Sequence, residues 1–392
     1  MKKIIPFLLF SCAVIGCRPD IHSIIRDNVE NAAVQYKMLV DSADAHGDGM
    51  IPYSFENGRI VYVDKYAWVS GFFAGSLWYL HELSKDEEWI APARKYTEVL
   101  EDVKHYIYNH DVGFMIGDSY GNGLRLMGYP DYNEVMVTTA RSLSTRFRPG
   151  AGIIQSWGIG GWTAERGWKC PVIIDNMMNL DLLFEASRIS GDSTFFNIAV
   201  SHADKTMKNH FRPDGSCYHV VDYDPETGEV RSQETAQGYA DDSAWARGQS
   251  WAVYGFLECY ENTGYKRYLE QAEKTWDFVT GHPNMPEDSV PYWDYDCPDI
   301  PDTYRDASSA AILASACYGL YDATGKSKYL RRGDLIVRSL SSPAYRAEKG
   351  TNGGFILKHS IGSMLHHGSI DTPLNYADYY LLEALARRKQ LR

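Results

Sequence analysis

Residues 247–279 read RGQSWAVYGFLECYENTGYKRYLEQAEKTWDFV, two helical segments of different character joined by a short polar turn. The first segment, up to Glu261, is apolar around much of its circumference, as in a helix that is buried on several sides. The second segment carries one apolar stripe and one charged face, which is typical of a helix with one side in solvent. Gly264 lies in the turn, where a left-handed backbone can end the first helix. The stretch therefore predicts a hairpin of one inner and one outer helix.

The same pattern recurs at three other places, ELSKDEEWIAPARKYTEVL, RISGDSTFFNIAVSHADKTM and DATGKSKYLRRGDLIVRSL. Each contains a helix end, a polar turn, an aromatic residue and a second amphipathic helix, and Gly191 and Gly325 occupy two of the turns. At roughly 55 to 60 residues per hairpin, about 370 mature residues give about six hairpins. Six inner helices inside six outer ones predict an all-α fold, an (α/α)6 toroid in a single domain.

An open helical solenoid is the alternative arrangement of such hairpins. The last predicted inner helix, YADYYLLEALARR at 376–388, is followed by no polar capping repeat. An open array needs such a repeat to cover its end. We therefore favour closure of the ring.

The first residues predict a targeting segment. Lys2 and Lys3 precede an apolar run that is too short for a stop-transfer helix and has the length of a signal-peptide core. Residues 14–17, VIGC, resemble a bacterial lipobox, which implies cleavage before Cys17 and lipidation of its thiol, with a plain secretory signal as the alternative. We expect a signal peptide at 1–16, a lipidated tether at 17–24 and the barrel at 25–392. The protein would then be an exported, periplasmic or cell-envelope lipoprotein of a Gram-negative bacterium, held to the membrane only through its anchor.

Composition narrows the classes of partner. The chain is 44% hydrophobic and 23% charged, as in an ordinary globular protein, and its formal net charge of −12 argues against nucleic acid and anionic membrane surfaces. Its 28 Tyr and 10 Trp suit either core packing or stacking on sugar rings. Cys259 and Cys317 lie in apolar helical runs and read as buried residues, and no CxxC pair occurs. No phosphate loop, zinc signature or nucleotide fingerprint is present, so we predict no metal and no cofactor.

One carboxylate stands in an unusual place. In CPVIIDNMMNLDLLFEAS, residues 170–187, Asp175 directly follows Val172, Ile173 and Ile174. A charge among apolar neighbours is costly unless it is paired, hydrogen-bonded or used. Asp175 is either a helix N-cap, worth about 1 kcal/mol, or a functional acid.

Other polar residues stand at equivalent places, just before or at the start of predicted inner helices. They are His110 and Asp111 in YNHDVGFM, Asp241, Asp242 and Arg247 in YADDSAWARGQSW, and Arg305 and Asp306 in YRDASSAA. In a closed barrel these positions converge on one rim. Several carboxylates with Arg, Gln and Trp on one rim predict a pocket rather than a set of coincident caps.

The runs WVSGFFAG, HDVGFM, IIDNMMNL, TAQGYADDSAWARGQSWAVYGF and YADYYLLEAL resemble glycoside hydrolase family 88, the unsaturated glucuronyl hydrolases. The resemblance extends from about residue 25 to the end of the chain. It implies that Asp175 is the general acid and base and that Asp111 is the second active-site carboxylate. The resemblance also implies substrate-binding positions at Trp68, His110, His219, Gln237, Arg247 and Trp251, with Trp162 as a further stacking face.

Two segments depart from the family pattern. Residues 149–168, which contain Trp162, match it poorly. Residues 358–373, KHSIGSMLHHGSIDTP, have their own spacing, and we expect this loop to bear on the choice between sulfated and unsulfated sugars.

The implied reaction releases a Δ4,5-unsaturated glucuronyl residue from glycosaminoglycan fragments made by lyases, through hydration of the C4=C5 double bond. One carboxyl can donate the proton and then accept one from water if its pKa is raised towards the working pH. Arg247 would hold the substrate carboxylate bidentately, and Trp68 and Trp251 would stack on the rings unless they are core aromatics. The alternatives are an unsaturated rhamnogalacturonyl hydrolase acting on pectin fragments and a lipid-anchored sugar-binding protein without catalysis.

Overall fold

The structure, a computed structural model, describes residues 20–391. Inner and outer helices alternate along most of this range. The α-helices are α1 (Ile21–His46), α2 (Ser70–Ser84), α3 (Ile90–Glu98), α4 (Asn122–Met127), α5 (Pro130–Ser144), α6 (Trp162–Glu165), α7 (Leu180–Ser190), α8 (Ser193–Asn209), α9 (Ala246–Thr263), α10 (Lys266–Gly281), α11 (Ala307–Thr324), α12 (Ser327–Leu340) and α13 (Asn375–Gln390).

Two inner helices begin with irregular turns. A π-helical segment, Gly113–Gly121, runs into α4, and a 3-10 segment, Ile174–Asn179, runs into α7. Further 3-10 segments are Glu87–Trp89, Glu101–His105 and Asn352–Gly354. π-Helical turns are rare and occur often at functional sites, and both irregular starts follow or contain a predicted active-site carboxylate.

The inner helices form a closed ring. In order around it lie α2, α4 with its π-helical start, α7, α9, α11 and α13, and α13 packs back against α2. Helices α1, α3, α5, α8, α10 and α12 lie outside. The prediction of an (α/α)6 toroid is confirmed, and the open solenoid is wrong because the first and last inner helices are in contact.

The sequence explains how each hairpin is made. Gly191, Gly264 and Gly325 end inner helices with φ of 72°, 68° and 67°, in the left-handed region that costs glycine least. In the hairpin without glycine, Lys85 takes this conformation with φ of 63°. Every residue of α11 from 307 to 320 is buried, whereas α12 buries one stripe, as the difference in patterning predicted.

The first helix begins earlier than expected. Helix α1 starts at Ile21, so residues 21–24 of the range that we predicted as a tether are helical. Ile21 and Ile25 are buried on the core-facing side of α1, which accounts for the ordered start. The predicted signal peptide, 1–16, and Cys17 lie outside the described residues.

The two ends of the barrel differ. The first five inner helices are each followed by a short turn, and all six are preceded by a longer connection; those connections hold the strands. The antiparallel strands are β1 (Ile51–Glu56) with β2 (Arg59–Val63), β3 (Phe147–Arg148) with β4 (Ile153–Ile154), β5 (Pro171–Ile173) with β6 (Val220–Tyr223) and β7 (Val230–Glu234), and β8 (Ser360–Ser363) with β9 (Gly368–Thr372). The N-terminal ends of the inner helices therefore lie under a layer of loops and hairpins, and we call this the loop end.

Cys259 and Cys317 are buried free thiols, as predicted. Between residues 20 and 391, no helix is long and apolar enough to cross a membrane. Over the same range, no group of three or more His, Cys, Asp and Glu side chains is arranged to hold a metal ion.

Candidate active site

Two inner-helix starts meet at the loop end through a glycine. A Cβ atom on Gly113 would stand 2.5 Å from Oδ1 of Asn179. The same oxygen accepts the Phe114 amide N–H at 3.0 Å. Because Gly113 has no side chain, the π-helical turn that follows Asp111 packs directly on the 3-10 segment that contains Asp175. This close packing brings the two predicted carboxylates within electrostatic reach of each other.

The position of Asp175 follows from the strand that precedes it. Strand β5 pairs with β6, with Val172 opposite Val221, and the Ile174 N–H donates to the His219 carbonyl at 3.0 Å. Asp175 is only 7% exposed, and the 3-10 segment begins without a side-chain cap. Oδ2 of Asp175 accepts no hydrogen bond from the described residues. The capping interpretation therefore has no support, and the carboxyl lies buried with free acceptor capacity.

Both carboxyls have raised pKa values. Burial raises the pKa of Asp175 to about 7, against the opposing influence of the Arg247 charge and the nearby Trp251 indole. Burial, followed by the charge of Asp175, raises the pKa of Asp111 to about 8, and Arg146 acts in the opposite direction. Since two neighbouring carboxyls in a buried site resist a second ionisation, the pair retains a proton near neutral pH. Such a pair can donate a proton at physiological pH.

A neutral histidine lies beside each carboxyl. Nε2 of His110 is 3.3 Å from Oδ1 of Asp111, and Nε2 of His219 is 3.8 Å from Oδ2 of Asp175. Burial lowers the pKa of His110 to about 3 and holds the pKa of His219 well below its ordinary value. Both imidazoles are therefore uncharged at neutral pH, and they can serve the site as hydrogen-bonding groups.

Comparison with known proteins identifies the family of this chain. Residues 48–285 match the profile of Glycosyl Hydrolase Family 88. The chain belongs to this family. An unsaturated glucuronyl hydrolase of Formosa agariphila is 45% identical over 327 residues, which cover 83% of this chain and 80% of that protein. An unsaturated chondroitin disaccharide hydrolase of Streptococcus pneumoniae is 34% identical over 350 residues, 86% of this chain and 85% of that protein.

A solved structure shows the same architecture. The crystal structure of an unsaturated glucuronyl hydrolase specific for heparin superposes with a TM-score of 0.90 and 40% sequence identity. The superposition covers 94% of this chain and 97% of that one. The family resemblance and the fold predicted from the sequence are both confirmed.

The structure places all nine of the predicted catalytic and substrate-binding residues of this family 88 chain at the loop end. Trp68 is half-buried and lies 5.1 Å from the Tyr376 ring, centroid to centroid. Trp162 is 44% exposed on α6 and lies 6.1 Å from the His366 ring of the β8–β9 connection. Both indoles therefore have surface available for a sugar ring.

Trp251 differs from the stacking face that we expected. Its side chain is fully buried, between Phe114 at 5.3 Å and Tyr380 at 5.2 Å. A ring without exposed surface offers no face to a sugar. Trp251 is a core aromatic of α9, and its indole N–H lies near Asp175.

Arg247 is engaged by the protein itself. One terminal nitrogen donates to Asp306 at 3.2 Å and to the Ile361 carbonyl, and the other donates to Gln237 at 3.0 Å and to the Gly362 carbonyl at 2.7 Å. Each terminal nitrogen has two N–H groups, so this set uses all four. The guanidinium thus fixes strand β8 and Gln237 over the site, and a bidentate grip on a substrate carboxylate requires some of these bonds to break.

We expect Arg247→Lys to lower the melting temperature of the enzyme and to raise KM. The ammonium of lysine is a single point and cannot replace four bonds made by a planar fork, so β8 and Gln237 lose their fixed positions. Thermal melts and steady-state kinetics measure the two effects. Arg267→Lys is the matched control, because Arg267 binds Asp204 through two bonds between the outer helices α10 and α8. It should lower the melting temperature but leave KM unchanged. A loss of substrate affinity in Arg247→Lys without any loss of stability would show that direct substrate binding dominates.

Sequence reasoning missed several residues that build the site. Asn179 and Asn176 anchor the segment around Asp175, through the Phe114 N–H and the Ile154 carbonyl. Both lie in the DNMMNL run, but their apolar surroundings gave no sign of these bonds. Arg146 is buried beside Asp111, and its sequence context, RFRPG, carries no recognisable signal.

Proposed function

We propose that the protein removes the Δ4,5-unsaturated glucuronyl residue from the non-reducing end of lyase-generated glycosaminoglycan oligosaccharides, of the chondroitin, hyaluronan or heparin type. Its membership of a family of hydrolases supports this activity, as do relatives that act on unsaturated glucuronyl and chondroitin substrates. The observation that carries the chemistry is the buried Asp175, whose pKa of about 7 suits a proton donor at neutral pH.

In this mechanism the carboxyl of Asp175 donates its proton to C4 of the unsaturated ring. A water molecule adds its oxygen to C5 and returns a proton to Asp175, which restores the acid. The resulting hemiketal at C5 opens by breaking the bond between C5 and the ring oxygen. The hemiacetal left at C1 then expels the remainder of the oligosaccharide. One water molecule is consumed and no bond forms between the sugar and the enzyme.

The neighbours of Asp175 have separate tasks in the proposal. Asp111 is the second carboxyl, and the repulsion that two ionised groups would feel raises the affinity of the pair for a proton. The neutral side chains of His110 and His219 are enclosed beside the two carboxyls, where they can hydrogen-bond to them, and Trp68 offers a stacking face to the substrate. Gln237, fixed by Arg247 at 3.0 Å, lies on the same rim.

The other candidate functions fit less well. A sugar-binding protein has no need of two buried carboxyls with pKa values of about 7 and 8. The relatives described above act on glucuronyl and chondroitin substrates, which favours those over rhamnogalacturonyl substrates.

A panel of unsaturated disaccharides from chondroitin, hyaluronan, heparin and rhamnogalacturonan tests the proposal. Hydration destroys the conjugated ene-acid, so its ultraviolet absorbance should disappear with at least one glucuronyl–hexosamine disaccharide. Turnover of the rhamnogalacturonyl disaccharide alone would select the pectin alternative. Binding of a disaccharide without any loss of absorbance would select the sugar-binding protein.

We also propose that the enzyme is an exported lipoprotein anchored through Cys17. The lipobox-like VIGC run supports this location, and only residues 18–20 separate Cys17 from the first residue of α1. Metabolic labelling with a radioactive fatty acid should mark the full chain but not its Cys17→Ala variant. Equal labelling, or secretion of an unlabelled mature form, would contradict lipidation.

A further inference from the structure

Arg146, at the end of α5, is a buried cation that joins the two acid-bearing segments. It is 6% exposed. Its Nε donates to the Gln155 carbonyl at 2.7 Å, and its terminal nitrogens donate to the Ile107 carbonyl at 2.6 Å and the Ser156 carbonyl at 3.2 Å. Ile107 lies four residues before Asp111, so one of these bonds holds the loop that carries the second carboxylate.

The other bonds hold the segment that supports Asp175. The Ser156 hydroxyl accepts the Ile173 N–H at 3.0 Å, and the Ser156 N–H donates to the Pro171 carbonyl at 2.9 Å. Asn176, the residue after Asp175, donates to the Ile154 carbonyl at 2.8 Å. A displacement of the Arg146 guanidinium would therefore be transmitted to both carboxylate segments.

Among the described residues, no carboxylate forms an ion pair with Arg146. Its three side-chain hydrogen bonds all go to backbone carbonyls, and it takes part in none of the ion pairs found between residues 20 and 391. A buried cation without a carboxylate at contact distance is costly. Its charge acts on Asp111, whose ionised form it favours.

We propose that Arg146 is a positioning residue of the reaction: it clamps the Asp111 loop and the Asp175 segment together and supplies a positive charge that favours the ionised form of Asp111. This inference rests on the proposed hydration activity. Arg146 acts through Asp111, and it is not assigned any contact with the substrate.

The charged groups around the two carboxyls determine whether removal of Arg146 raises or lowers their pKa values. On its own loop Asp111 faces His110 and Tyr106. From the 3-10 segment before α7 it faces Asp175, and from the turn after α5 it faces Arg146. Asp175 itself faces His219 and Arg247. The histidines are neutral, so Asp111 loses the cation that acts on it when Arg146 is removed. Arg247 remains, but it acts on Asp175. The proton affinity of the pair must then rise.

The test compares the pH dependence of kcat/KM for Arg146→Gln and Arg146→Lys, each with thermal melts. Loss of a nearby cation raises the pKa of a carboxyl by about one unit or more, so the profile of Arg146→Gln should move to higher pH by about one unit. Arg146→Lys keeps the charge but cannot reach three divergent carbonyls. Its profile should stay in place, while kcat falls at least about 10-fold at temperatures where the protein is folded.

Arg267→Gln is the control. Arg267 binds Asp204 and Tyr268 between the outer helices α8 and α10, and its charge acts on neither Asp111 nor Arg146. Its profile and kcat should match the wild type. In an Asp111→Asn background, Arg146→Gln should no longer move the profile.

The outcomes separate this inference from the proposed function. If the wild type consumes no unsaturated disaccharide, the proposed function fails first. If the wild type is active, a merely structural Arg146 would give both variants lower melting temperatures with unchanged profiles and wild-type kcat, and that result would overturn the inference. If Arg146→Gln does not fold, a wild-type kcat in folded Arg146→Lys would overturn it.

Discussion

Asp175→Asn is expected to lose at least about 10²-fold in kcat while keeping its fold. The amide has the size and shape of the carboxyl, so the packing of the 3-10 segment is retained. The amide has no transferable proton near neutral pH, so C4 of the substrate receives none. Steady-state turnover of an unsaturated disaccharide, followed by loss of its ultraviolet absorbance, measures the effect, and a variant with near-wild-type kcat would remove Asp175 from the proton-donor role.

Relative to the wild type, the same variant should become more stable as the pH rises. The folded pKa of Asp175, about 7, lies above the ordinary value near 4. A carboxyl with a raised folded pKa stabilises the fold fully below the unfolded pKa, and this contribution is lost as pH rises through the folded pKa. The wild type therefore loses up to about 1.4 kcal/mol per pH unit from this group between about pH 4 and 7. The melting temperature of Asp175→Asn, relative to the wild type, should rise over this window and then level off.

Asp192→Asn provides the control for capping. Asp192 caps α8, with its side chain accepting the Thr194 N–H at 2.9 Å, and asparagine is an equally good cap. This variant should keep its activity and show no growing stabilisation with pH. A similar profile in both variants would indicate that Asp175 is also a structural cap.

The fold was predictable because its signal is local and repeated. Each inner helix is apolar on nearly every side and each outer helix has one apolar stripe, so alternation along the chain is enough to indicate a double ring. The left-handed turns at Gly191, Gly264 and Gly325 are set by residue type alone. The first residue of α1 was harder to predict, because only the packing of Ile21 against the barrel distinguishes a helical turn from a tether.

The site was predictable only in part, because its chemistry depends on contacts between distant segments. The family runs gave the residues that lie at the loop end. They did not show that Trp251 is enclosed by Phe114 and Tyr380, or that Arg247 is occupied by the backbone of β8. Arg146 could not be found from sequence, because its partners are main-chain carbonyls, and such bonds leave no mark on the residues that accept them.

The requirement for a double bond is the second large effect that we expect. An ordinary glycosidase with two carboxylates acts at C1, through water or an enzyme nucleophile, and has no need of unsaturation between C4 and C5. In the proposed mechanism the proton goes to C4 and water goes to C5, so a substrate without the double bond has no atom that can accept the proton. Saturated glucuronyl disaccharides of the same linkage should therefore show no measurable turnover, at least about 10³-fold below their unsaturated counterparts.

Isotopic labelling identifies the carbon atoms that react, and it does so independently of the reaction rate. Turnover in deuterated water should place deuterium at C4, and turnover in ¹⁸O-labelled water should place the label at C5, both read from the product by NMR and mass spectrometry before exchange at the carbonyl. Asp111 and Asp175 lie in contacting segments, and burial together with the charge of Asp175 raises the pKa of Asp111. Such a pair is suited to retaining a proton for donation rather than to keeping one carboxylate ionised as a nucleophile. Label introduced at C1, or saturated and unsaturated substrates consumed at comparable rates, would mean that the barrel uses these two carboxyls for direct displacement at the anomeric carbon.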